Sequence, residues 1–129
     1  MQAQAIQIET TGGPEVMKLV ERPSTEPGPS QLRVRHHACG VNFIDVYHRT
    51  GLYPVPMPAV LGEEGAGVVE AVGADVTHLA VGDRVAYAGA GLGSYTTHRT
   101  LEARTVVRLP DAIDFERGAA MMLKGLTVQ

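Results

Sequence analysis

Tryptophan is absent from this 129-residue chain, which also holds only two phenylalanines and one cysteine. So few large flat rings argue against a base-stacking nucleic-acid surface. Basic charge is short as well: 11 Lys and Arg against 14 Asp and Glu leave a net charge of −3, so nothing favours a polyanionic partner. Cys39 cannot form an internal disulfide, which suits a reducing compartment and predicts a cytoplasmic location. No apolar run approaches the roughly 20 residues needed to cross a bilayer. Met1 leads straight into an alternating stretch, without the basic and then apolar segments of a secretory signal.

What is present is punctuation. Fifteen glycines and eight prolines are spread along a chain that is 44% hydrophobic and 19% charged, the profile of an ordered, turn-rich β domain. The length suits one domain. Residues 2–8 and 16–21 read as strands, the second ended by Pro23. From Leu32 to Cys39 apolar and polar residues alternate, which predicts a strand with Arg33 and Arg35 facing water. The period then changes: Asn42 is an N-cap candidate for a short helix over 42–49 that stops at Gly51. The alternate prolines of 53–58 force an extended surface segment. Strands are predicted over 65–72, 84–87, 94–100 and 105–109. Residues 115–123 have helix composition with an Asp available as N-cap, and Gly125 is expected to interrupt that helix. An apolar patch is expected over 119–123.

Three groups of residues invite a chemical reading. Gly89-Ala90-Gly91-Leu92-Gly93-Ser94 resembles a phosphate loop, but Ser94 replaces the last glycine and the next residues look extended, so no helix N-terminus would face a phosphate. A flexible β connection is expected instead. His36, His37, Cys39, His48, Glu63 and Glu64 include metal-ligand types, but His36 and His37 point to opposite faces of a strand and no compact three-ligand set forms, so no metal site is expected. Of the two adjacent glutamates, one is expected to bind a cation or backbone near the glycines while the other is solvated. Asn42, Tyr47 and Tyr53 have two readings. They line one cleft, offering flat surface and hydrogen-bonding groups to a planar, polar-edged ligand; or they are a helix cap and two half-buried tyrosines.

A resemblance bears on that choice. Gly12-Gly13-Pro14-Glu15-Val16, the run Gly40-Val41-Asn42-Phe43-Ile44-Asp45-Val46-Tyr47 continuing to Tyr53, the stretch Leu61-Gly62-Glu63-Glu64-Gly65-Ala66-Gly67, Val81-Gly82-Asp83-Arg84-Val85 and Leu123-Lys124-Gly125-Leu126-Thr127 together resemble the quinone oxidoreductase branch of the medium-chain dehydrogenase/reductase superfamily. The resemblance implies a mainly β fold, a GroES-like, partly open β-barrel with a few short helices. Residues 1–129 would be the catalytic, substrate-side domain, and 114–129 would begin a helical connection to a Rossmann domain beyond Gln129. It implies transfer of reducing equivalents from NADPH to a quinone without zinc. Zinc-dependent relatives carry a Cys ligand where this chain has Asn42 and a His ligand where it has Glu63. Asn42, Tyr47, Tyr53, Lys124 and Thr127 would line the cofactor, and Asn42, Phe43 and Tyr53 the substrate pocket. No residue is assigned as a catalytic acid or base. A homodimer is implied for the longer enzyme. A related enone reductase and a non-enzymatic chaperonin-10-like or crystallin-like protein are the competing readings.

Overall fold

The computed structural model describes residues 2–128, with side chains described through Leu123. In chain order the elements are β1 (Gln2–Ile8), β2 (Lys18–Pro23), β3 (Gln31–Cys39), α1 (Phe43–Thr50), β4 (Ala59–Val60), β5 (Glu64–Val72), β6 (Arg84–Ala88), β7 (His98–Glu102), β8 (Val106–Arg108) and α2 (Phe115–Val128). Two antiparallel sheets form, one ordered β2-β1-β4 and the other β7-β3-β5-β6-β8. The segment 93–97 joins them. The Ile6 and Thr97 backbone N–H groups donate to the Tyr95 and Gln4 carbonyls, and the Tyr95 N–H donates to the Leu61 carbonyl. The result is the expected mainly β, partly open barrel.

Alternation on β3 and β5 buries Leu32, Val34 and Val69 with Val85, Tyr87, Leu101 and Val106 in the main core. A second cluster of Ala66, Ala86, Leu109 and Ala119 lies under α2. Ile8, Ala59 and Leu61 fill the space beside the smaller sheet.

Four expectations need correction. Arg33 does not face water: it is 7% exposed, and its guanidinium meets Glu70 at 2.6 Å and Glu26 at 3.1 Å. β3 is an interior strand with neighbours on both sides, so a charge there stays only if paired. The second strand begins at Lys18, after a 3-10 turn at Pro14–Val16, and runs through Pro23. As an edge strand it tolerates the missing N–H. The strand expected over 94–100 begins only at His98, because 93–97 is spent on the inter-sheet seam. Finally, Gly125 does not interrupt α2, which continues to Val128. A mid-helix glycine costs only about 1 kcal/mol, less than packing the helix against β5 and β6 returns.

The apolar patch expected over 119–123 is also reduced. Ala119 is 1% exposed and Met122 packs on the second cluster, leaving Met121 exposed. Among the described residues no helix is long and apolar enough to cross a membrane.

Candidate active site

Helix α1 is flanked by Asn42 as its N-cap and Gly51 as its C-cap. The Asn42 backbone N–H donates to Asp45 Oδ2 at 3.0 Å, the reaching-back half of a capping box. Gly51 closes the helix in the left-handed region, at φ 90°, where a side chain would be strained. This much follows from sequence-readable signals.

The orientation of α1 is inverted. Phe43, Val46, Tyr47 and Thr50, at i, i+3, i+4 and i+7, point outward, while Asp45 and His48 are buried at 4% and 8% exposure. Phe43 is 82% exposed. Neighbouring Val41, Leu52 and Tyr53 are exposed too. An ordinary surface helix turns its apolar stripe inward. Here the polar side is held down instead: the Tyr95 hydroxyl donates to Asp45 Oδ2 at 2.5 Å. Burial, followed by that hydrogen bond, raises the Tyr95 pKa. Asp45 Oδ1 and His48 Nδ1 are buried with no hydrogen-bond partner among the described residues.

The outward face is organised. The Tyr47 and Tyr53 rings meet edge to face at 5.4 Å and 73°, and the Tyr53 N–H donates to the Tyr47 carbonyl at 3.2 Å. The Tyr53 ring also lies against His48, 6.2 Å between centroids. Phe43, Tyr47 and Tyr53 thus make an aromatic ledge open to solvent. A flat ring system with polar edges fits such a ledge.

Asn42 is both a cap and more than a cap. Its Nδ2 donates to Glu64 Oε1 at 2.7 Å, and Glu64 Oε2 accepts the Leu123 backbone N–H at 2.8 Å. Glu64 is fully buried and Glu63 half-buried. The expected split between the two glutamates is met only for Glu64, which binds the Leu123 backbone; Glu63 is half-buried rather than solvated. The side chains of Lys124 and Thr127 lie outside the described residues.

The glycine-rich loop has the opposite polarity to a phosphate cradle. Gly89, Gly91 and Gly93 all take positive φ, and the carbonyls of Ala90, Gly91 and Leu92 each accept from Arg99 Nη2 at 3.0 Å. The loop surrounds a cation that belongs to the chain. Arg99 also lies over the Tyr87 ring. His36 bridges Tyr87 and the Thr96 carbonyl, whereas His37 stacks on Phe115 at 4.2 Å, so the two histidines do face opposite ways. Cys39 donates its thiol to the Ser94 carbonyl, and burial pushes its pKa up. Among the described residues, no three His, Cys, Asp or Glu side chains form a group that could hold a metal.

Sequence reading missed Asp45, Tyr95 and the outward placement of Val46. The Asn42-x-x-Asp45 spacing carried the first of these as a capping signal. The 43/46/47 spacing carried the last, though not the direction in which that stripe would turn.

Residues 28–111 match the alcohol dehydrogenase GroES-like domain, and the chain belongs to that family. It is 56% identical, over 98% of its length, to the quinone oxidoreductase of Pseudomonas aeruginosa. It is 41% identical, over 95% of its length, to the 2-haloacrylate reductase of a Burkholderia species, covering 38% of that protein. The solved Escherichia coli quinone oxidoreductase complexed with NADPH superposes on 97% of the chain with a TM-score of 0.94 and 46% identity. The chain spans 39% of the length of the Pseudomonas aeruginosa protein and 39% of that solved structure.

Proposed function

We propose that this chain is the substrate-side part of a zinc-independent, NADPH-dependent quinone reductase, with the ledge on α1 forming one wall of the ligand cleft. The inverted helix carries the reading. Turning Phe43, Val46 and Tyr47 to solvent forfeits hydrophobic stabilisation, and burying Asp45 and His48 adds an opposing cost. That arrangement makes sense if a planar ligand covers the ledge. The names of the Pseudomonas aeruginosa and Escherichia coli relatives support NADPH and a quinone as the two ligands.

NADPH, when bound, supplies the reducing equivalents. The chain's own residues bind and orient. Tyr47 and Tyr53 offer flat surface, and in this reading the Tyr53 hydroxyl donates to a quinone oxygen as negative charge grows there. Phe43 and Val46 keep water from the reacting face. Asn42 supplies a fixed amide. The family resemblance adds Lys124 and Thr127 as further candidates for cofactor contact. The donors at the two positions discussed above are the Asn42 amide and the half-buried Glu63 carboxylate, with neither thiolate nor imidazole. That supports reduction of an electron-poor acceptor rather than oxidation of an alcohol, which needs a Lewis acid.

The test is a fusion in which this chain replaces the matched stretch of the Pseudomonas aeruginosa relative. It should oxidise NADPH in the presence of 1,4-benzoquinone, dependent on enzyme concentration. A fusion that folds, binds NADPH and leaves benzoquinone untouched overturns the reading. Activity confined to 2-chloroacrylate would favour the alternative supported by the Burkholderia relative, reduction of an activated double bond.

A further inference from the structure

A cavity of about 510 Å³ opens where the two sheets meet beside the 93–97 seam. That size is ordinary for a small-molecule site, and the mouth of a β-barrel is a usual place for one. Ala3, Ala5 and Val60 form the wall on the smaller sheet, His98 and Thr100 of β7 face them, and Arg22 of β2 stands at the rim. The space exists because β1 brings only methyl groups to it. Ala3 and Ala5 are buried, at 3% and 2% exposure, in a strand where valine or isoleucine would be the commoner choice. Val55, Pro56 and Leu92 extend the apolar surface. No Phe or Tyr lines it, and the ledge on α1 contributes none of its residues.

The charge around this cavity has one sign. Arg22, His98 and Arg99 line it and no Asp or Glu does, in a chain whose net charge is −3. Arg22 donates through Nη1 to Gln7 Oε1 at 3.2 Å and forms no ion pair among the described residues. A guanidinium carries five donors in a planar fork, so most of this one is unspent. The three carbonyls around Arg99 carry no net charge; they place its cation without cancelling it. Glu70, 3.8 Å from His98 Nε2, is already bonded to Arg33 at 2.6 Å. The remaining field favours an anion, and a carboxylate matches the Arg22 fork with two parallel hydrogen bonds. The alanine, valine and proline wall then favours an apolar body without calling for a flat one.

We propose that this cavity binds a small organic carboxylate with an aliphatic body, its charge on Arg22 and its body against Ala3, Ala5, Val55 and Val60. The site is independent of the ligand cleft on α1 and stands whether or not the chain serves quinone reduction.

Cyclohexylacetate is the probe, because its saturated ring gives the aromatic ledge no flat face to stack on. Followed by nitrogen-edited NMR in the 129-residue chain, it should shift the Arg22, Val60, His98 and Thr100 amides saturably and leave those of Phe43–Thr50 in place. Cyclohexylacetamide, which lacks the charge, and acetate, which lacks the body, should each bind at least tenfold more weakly. Arg22→Gln, an exposed change on an edge strand, should weaken cyclohexylacetate at least tenfold and leave the amide within twofold, while the amides of β3 and β6 keep their shifts. Absence of a saturable shift overturns the proposal, as does a shift confined to α1. Equal binding of the carboxylate and its amide, equal binding of acetate, or unchanged affinity in Arg22→Gln overturns it too.

Discussion

His36 and Tyr87 meet at 2.8 Å between Nε2 and the phenolic oxygen, one of the two hydrogen bonds that hold the buried ring. The other nitrogen, Nδ1, lies 2.7 Å from the Thr96 carbonyl, which can only accept. Nδ1 therefore carries the proton, and Nε2 of the neutral ring accepts from Tyr87. Arg99 in turn donates to the Tyr87 oxygen at 3.4 Å. Burial lowers the His36 pKa to about 4 and raises that of Tyr87 to about 12.

A pH dependence of stability follows from His36. Its folded-state value lies below the ordinary one near 6.5, so between those two values the unfolded chain binds more protons. The stabilisation is complete above pH ~6.5 and is lost as pH falls towards ~4, by roughly 3 kcal/mol in total. Thermal unfolding from pH 7 to pH 4 should show the midpoint dropping through this window. His36→Gln should flatten that part of the curve. An equal slope in the variant would assign the effect to other groups.

The bounds of α1 are legible in the sequence. Asn42 and Gly51 bracket α1 because capping and left-handed closure are local effects, set by residue type. The direction in which the Phe43–Val46–Tyr47 stripe would turn was not legible. Periodicity gives a face, and only tertiary partners such as Tyr95 on Asp45 decide which face goes in. Arg33 failed for a related reason. Alternation on β3 predicts two faces, but it does not say that Glu70 and Glu26 wait beside one of them. The glycine loop was rightly denied a phosphate, yet its use as a carbonyl clamp for Arg99 depends on a residue six positions beyond Gly93, with no motif to flag it.

Removing Arg33 should be severe. Its guanidinium bonds Glu70 and Glu26 and donates to the Thr25 carbonyl, while Glu70 is itself largely buried. Arg33→Ala leaves that carboxylate without its main partner and is expected to cost about 3–5 kcal/mol. A double change, Arg33→Met with Glu70→Leu, should recover most of the loss, because a matched apolar pair needs no compensation. Urea midpoints of the three proteins check this. A single-variant loss below about 1 kcal/mol would show that the pair contributes as little as an exposed one.

The chain should also carry no tightly held zinc. Elemental analysis of protein purified without a metal-affinity tag is expected to find well under one zinc per chain. Added zinc should leave the thermal midpoint where it was, since a ligand that binds only the folded state would raise it. One retained zinc per chain would reopen alcohol chemistry for this domain.

The sharpest test of the cleft concerns Tyr53. Its ring is half exposed, packed edge-on against Tyr47 and bordering His48. Pro54 and Pro56 follow it and restrict the loop at low entropic cost, presenting the ring without help from a ligand. Truncation to alanine on so exposed a site should alter stability by less than ~1 kcal/mol. In the fusion with the Pseudomonas aeruginosa relative, the same truncation removes an aromatic contact and a hydroxyl from the proposed reacting face. The expected loss is about 1–3 kcal/mol of transition-state binding, roughly ten- to a hundredfold in kcat/KM for benzoquinone. Tyr53→Phe separates the two contributions. If the hydroxyl meets the developing charge, the phenylalanine variant should lose kcat while keeping KM; if the ring alone matters, it should behave as wild type. A sharp fall in thermal midpoint, with normal activity in the protein that remains folded, would make Tyr53 a packing residue and remove it from the site.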